Sequence, residues 1–172
     1  TKDLEPSARS MMILLRLLLL PHAVYSLASI PRPPPSEMVA RLSPLALAYL
    51  GDSVWEREMR ERMLWPPAKL DQLNRRVQQL CCAEGQHAVL QEVVDHFDLN
   101  ESELDWLRRG RNASPRGPRR LKPSVYQAST ALETLVGVLH LTDSTRLEQL
   151  LDFALRTHGG DRVENEALGS ES

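Results

Sequence analysis

The chain has 172 residues, 42% of them hydrophobic, which supplies the core of one domain of ordinary size and leaves no room for two. Aromatic residues make up 5% while Leu, Ala, Arg, Glu and Gln dominate, a composition that favours helices and argues against an all-β fold. The formal net charge of -2 hides an asymmetry: seven bases and no acid lie between Arg108 and Lys122, and with those set aside 14 bases face 23 acids.

Residues 1–36 differ in character from the remainder of the chain. Met11 to Leu20 is apolar apart from Arg16, and Pro31 to Pro35 holds four prolines in five positions. The apolar stretch is short for a membrane span and carries an internal charge, which predicts a non-core extension and no membrane anchor. Arg9, Arg16 and Arg32, with no acid between Pro6 and Ser36, suit an organellar transit peptide. An over-extended start on a bacterial protein fits equally well. The first case places the protein in the chloroplast, the second in a bacterial or cyanobacterial cytoplasm.

A helical domain is predicted over residues 37–159. Ser43 suits a cap and Pro44 a first turn, and Leu45, Ala48, Tyr49, Trp55, Met59 and Met63 fall on one face with Asp52 in its middle. A second long helix runs from Lys69 toward Phe97, with Leu70, Leu73, Val77, Leu80, Cys81 and Ala88 as its apolar stripe and a bend at Gly85. Asn100 and Glu103 form a capping pair for a short helix that Gly110 ends. The stretch Gly110 to Pro123, with two Gly and three Pro, reads as a loop that presents its charges on irregular backbone. Ser124 opens an apolar helix through Leu141, Asp143 or Ser144 opens the last one, and residues 160–172 read as a disordered acidic tail.

Three features carry chemistry. Asp52 sits in an apolar helix directly after Gly51, a residue that weakens a helix by about 1 kcal/mol relative to Ala and so signals close approach of a backbone or ligand. Glu133 sits inside the apolar or small run Ala128 to Leu139. An ionised carboxylate in such a setting needs a cation or hydrogen-bond donors, and two of them on facing helices would suit one magnesium ion. Taken singly, each could equally be a structural acid satisfied by an arginine or a helix end. The third feature is the basic stretch Arg108, Arg109, Arg111, Arg116, Arg119, Arg120 and Lys122, which suits phosphate contacts or, alternatively, a solvated surface. Aromatic interleaving is missing, so duplex backbone fits better than single-stranded bases. The adjacent Cys81 and Cys82 do not suit an ordinary disulfide, and the five histidines lack zinc spacing.

In order, Leu47-Ala-Tyr-Leu-Gly-Asp-Ser-Val-Trp-Glu56, Arg108-Arg-Gly-Arg-Asn-Ala113 and Tyr126-Gln-Ala-Ser-Thr-Ala-Leu-Glu-Thr-Leu-Val-Gly137 resemble the Mini-ribonuclease III family, of cyanobacterial or plastid type. The likeness spans Pro44 to His158. It implies the all-α ribonuclease III endonuclease domain, a helical bundle here without a double-stranded-RNA-binding domain. It also implies Mg²⁺ held by Asp52 and Glu133 as the catalytic acids, and double-stranded RNA, typically a 23S ribosomal RNA precursor, cut to 5′-phosphate and 3′-hydroxyl ends by a homodimer. Arg108, Arg109, Arg111, Asn112, Arg119, Arg120 and Lys122 are then the RNA contacts, and a ribosomal protein is a candidate presenter of the substrate. Where larger ribonuclease III enzymes carry further acids, this chain has Leu45, Ala48 and Thr130, which implies a sparser metal shell and leaves one or two ions open. The competing readings are a catalytically inactive RNA-binding or ribosome-assembly protein on the same fold, and a helical module that grips acidic proteins.

Overall fold

The computed structural model describes residues 36–158, so the readings for the N-terminal extension and the acidic tail lie outside the described residues. Seven helices and no strands occur among them: α1 (Ser36–Ala40), α2 (Pro44–Arg62), α3 (Leu70–Cys81), α4 (Ala83–His96), α5 (Glu101–Ala113), α6 (Pro123–Thr142) and α7 (Ser144–His158). The all-α expectation holds.

The helix starts follow local chemistry. Ser43 Oγ accepts from the Ala46 amide at 3.1 Å, and Pro44 fills the first position, where its missing N–H costs nothing. Asn100 and Glu103 cap α5 reciprocally, at 3.0 and 2.9 Å. Asp143 accepts from the Arg146 amide at the start of α7.

α6 is the axis of the fold. Every residue from Ala128 to Leu139 is buried except Glu133, and the helix packs most heavily on α2, then on α5 and α4. A helix apolar on all sides is stable only when enclosed in this way. Around it Trp55, Met59, Val89, Val93, Leu150 and Leu151 complete the core. Trp55 is fully buried and its indole donates to the Leu80 carbonyl at 3.0 Å, fixing α3 on α2. Truncating it to alanine costs about 3 to 5 kcal/mol.

Four expectations need correction. Leu45 and Tyr49 lie outside the core, Tyr49 being 81% exposed; the buried side of α2 is Leu47, Ala48, Gly51, Val54, Trp55, Glu58 and Met59. That rotation moves Asp52 from the middle of the buried face to its rim, where it meets solvent. The long helix over 69–97 is two helices, because Cys82 takes an extended conformation that ends α3 and caps α4. A Cβ on Gly85 would lie 1.9 Å from the Gln79 carbonyl oxygen, so glycine lets the two helices turn tightly there. Leu70, at the first turn of α3, is 73% exposed and joins no stripe.

The fourth concerns Gly110, which does not end α5. It is buried against α6, where a Cβ would meet Thr134 Oγ1 at 2.5 Å. The helix therefore continues through Arg111 and Asn112 to Ala113, and three of the seven bases, Arg108, Arg109 and Arg111, ride on helix. Only residues 114–122 form the irregular connection.

Candidate active site

α2 and α6 cross where neither helix has a side chain. A Cβ on Gly51 would stand 1.8 Å from the Glu133 carbonyl oxygen, and one on Gly137 would stand 2.1 Å from that of Leu47. Only hydrogen fits at both points, so the backbones touch. The close approach expected of Gly51 is thus to the backbone of the second candidate acid, which brings Asp52 and Glu133 to one cleft.

Their electrostatics record that proximity. Burial pushes the Glu133 carboxyl up to about 7, and the charge of Asp52 adds to the effect. Hydrogen bonding from Ser129 and Gln86 works against the rise; Ser129 Oγ donates to Glu133 Oε1 at 3.1 Å. Asp52 is raised too, first by the walls of the cleft and then by Glu56. A buried carboxyl whose ionisation is further disfavoured by a neighbouring carboxylate is a place where a cation is stabilising.

Two further groups line this cleft, and neither stands out in the sequence alone. Glu56 lies one turn beyond Asp52, gripped by Arg60 at 2.9 Å from both guanidinium nitrogens, a contact that holds its carboxyl below the usual range. Its one signal is the i, i+4 spacing of Asp52, Glu56 and Arg60. Cys81 feels the charges of Glu56 and Asp52, and burial, the larger effect, pushes its thiol up to about 12, so it stays protonated. Among the described residues both cysteines are free.

The side chains that could hold a cation in this cleft offer carboxylate oxygens. Among the described residues no three His, Cys, Asp or Glu side chains are grouped to hold a metal. Two carboxylates, with water or substrate oxygens completing the shell, fit Mg²⁺, which keeps several waters and accepts few protein ligands. Zinc sites prefer nitrogen and sulfur.

The basic residues fall into two groups. Arg108 pairs with Asp105, Arg109 lies over the Trp106 ring at 3.8 Å, and Arg120 pairs with Glu84 at 3.2 Å. By contrast Arg111, Arg116, Arg119 and Lys122 make no ion pair among the described residues, and all four are exposed, as is Asn112. Arg111 borders a surface hollow shared with His87 and Ala128, the chain neighbours of Gln86 and Ser129.

The fold is all-helical, and the sequence profile of one family (Ribonuclease III domain) matches residues 45–144. A Mini-ribonuclease 3 of Synechocystis is 44% identical over 119 residues, 69% of this chain and 82% of the relative. One of Gloeobacter violaceus is 42% identical over 132 residues, 75% and 96% of the two chains. The crystal structure of a Fusobacterium nucleatum protein superimposes with a TM-score of 0.62 at 26% identity, covering 69% of this chain and 96% of that one. The chain belongs to the Mini-ribonuclease III branch of the ribonuclease III family and is an endoribonuclease of that type.

Proposed function

We propose that residues 37–159 form a catalytic unit that hydrolyses double-stranded RNA with the help of Mg²⁺, Asp52 and Glu133 being the catalytic acids that hold the ion. The observation that supports this reading is the crossing at Gly51 and Gly137, which puts the backbones that carry Asp52 and Glu133 in contact, with both carboxyls raised. Bound there, magnesium supplies positive charge to activate water and to stabilise the charge that develops on the phosphate oxygens.

The protein's own part is placement. The backbone contact fixes the separation of the two acids, and Ser129 restrains Glu133. Arg111, Arg119 and Lys122, with Asn112, neutralise and hydrogen-bond flanking phosphates or 2′-hydroxyls, while Arg108, Arg109 and Arg120 reach RNA only by leaving their present contacts. Such contacts read the shape of an A-form duplex more than its bases. Water attacks phosphorus in line, leaving 5′-phosphate and 3′-hydroxyl ends with no covalent protein intermediate.

A 23S ribosomal RNA precursor is the proposed substrate, and a ribosomal protein a candidate presenter of it. Met38, Leu42, Leu45 and Tyr49 are exposed apolar residues at the start of the bundle and form the proposed homodimer face. Among the described residues no helix is long and apolar enough to cross a membrane. The proposed compartment is the cytoplasm of a bacterium or cyanobacterium, the kind of host in which the Synechocystis and Gloeobacter relatives occur, or the chloroplast if the N-terminal segment directs import. The test is incubation with end-labelled duplex, single-stranded and hybrid RNA, plus a structured 23S precursor, in Mg²⁺. Cleavage confined to duplex regions and 5′-phosphate ends are expected. Binding of the precursor without cleavage of any substrate would favour the inactive RNA-binding reading.

A further inference from the structure

Gln86 is 1% exposed, lies on α4, and carries a buried Nε2 that no acceptor meets at full hydrogen-bond distance among the described residues, although its amide is near enough to Glu133 to lower that carboxyl. An unsatisfied buried amide donor costs about 1 to 3 kcal/mol and persists in a packed core for a reason. The other end of the same carboxamide is engaged, since Gln86 Oε1 accepts from Ser129 Oγ. Ser129 Oγ also stands 3.1 Å from Glu133 Oε1. A hydroxyl has a single proton, so Ser129 cannot donate fully to both acceptors. If that proton goes to Gln86 Oε1, the donor left for the Glu133 carboxylate is the spare Nε2–H of Gln86, whose amide already exerts a hydrogen-bonding influence on that acid.

We propose that Gln86 is a positioning residue: oriented by Ser129, it holds the Glu133 carboxylate through Nε2 in the rotamer that ligates the catalytic cation. The inference rests on the reading of Asp52 and Glu133 as a metal site. Gln86 never touches RNA or the ion; it removes the freedom of the ligand that does. Groups that orient a ligand from behind change metal affinity by about 10-fold to 100-fold when lost.

The experiment measures Mn²⁺ affinity of the full chain without RNA, by calorimetry or by electron paramagnetic resonance, for wild type, Glu133→Gln and Gln86→Met. Methionine keeps the length and volume of the glutamine and removes the donor. The expected result is about a 10-fold weaker affinity in Gln86→Met, an unchanged or raised melting temperature in EDTA, and cleavage restored by excess Mg²⁺. Unaltered affinity overturns the proposal, as does a fall in metal-free melting temperature with a loss of activity that Mg²⁺ does not restore. Should Gln86→Met fail to fold, Gln86→Leu is measured instead; it also removes the donor and leaves Ser129 in place, and a several-fold loss of affinity supports the proposal while none overturns it. Wild type that binds no Mn²⁺, or Glu133→Gln that binds as tightly as wild type, removes the metal site itself and is thereby distinguished from failure of the Gln86 role alone.

Discussion

Glu133→Gln is expected to make the protein more stable while making it inactive. In the folded chain the Glu133 carboxyl is pushed up from 4.5 to about 7, first by burial and then by Asp52. The folded state therefore binds a proton that the unfolded state has already released. The stability this confers is fully present below pH 4.5 and is lost as pH rises through 7. A difference of about 2.5 units corresponds to about 3 kcal/mol at 1.36 kcal/mol per unit. Glutamine is isosteric with the protonated acid and never ionises, so the variant escapes the loss. Urea melts in EDTA at pH 5 and pH 8 provide the assay. The two proteins should nearly coincide at pH 5, and at pH 8 the variant should be ahead by about 3 kcal/mol, or about 6 to 12 °C in melting temperature. Mg²⁺ should then stabilise wild type and leave the variant unmoved. A variant less stable than wild type at pH 8 would refute the idea that Glu133 is a strained, desolvated acid.

Gly51→Ala places a methyl group against the Glu133 backbone, so it should cost about 3 kcal/mol or more and abolish cleavage together, as read by thermal melting and duplex cleavage. Glu103→Ala strips the buried partner from Arg146, whose Nε lies 2.7 Å from Glu103 Oε1, and undoes the α5 cap; a loss of about 3 kcal/mol is expected at pH 7. Burial works to raise the Glu103 carboxyl, but Arg146 and the Asn100 amide together hold it below 4.5, so its stabilisation is present above that pH and fades as pH falls through the lowered value. Urea melts from pH 7 to 3 should show the gap between wild type and variant narrowing. Arg111→Ala and Lys122→Ala should each weaken duplex binding and reduce the slope of log affinity against log salt by roughly 1, measured by anisotropy titration; unchanged slopes would place the RNA elsewhere.

Features governed by neighbouring residues are legible in the sequence. The Ser43 cap with Pro44, and the Asn100 and Glu103 capping box, depend on groups within one turn, and the structure contains both. Asp52 and Glu133 stand out because a charge inside an apolar run has no cheap explanation, and the fold brings them to one cleft. What the sequence hides depends on distant partners. α2 offers two apolar stripes, and only packing against α6 selects the one with Leu47 and Val54 over the one with Leu45 and Tyr49. A glycine at a helix crossing looks like a glycine at a helix end until the facing Thr134 is known, which is why Gly110 reads as a stop. Gln86 carries no charge to draw notice, and its partner Ser129 is 43 residues away.

The most direct test of the account sets wild type, Asp52→Ala and Glu133→Ala side by side on one labelled RNA duplex, each in Mg²⁺ and in EDTA. Wild type is expected to cut in Mg²⁺ alone, and both variants to bind the duplex without cutting. Cleavage by wild type in EDTA, or undiminished cleavage by either variant, would contradict this.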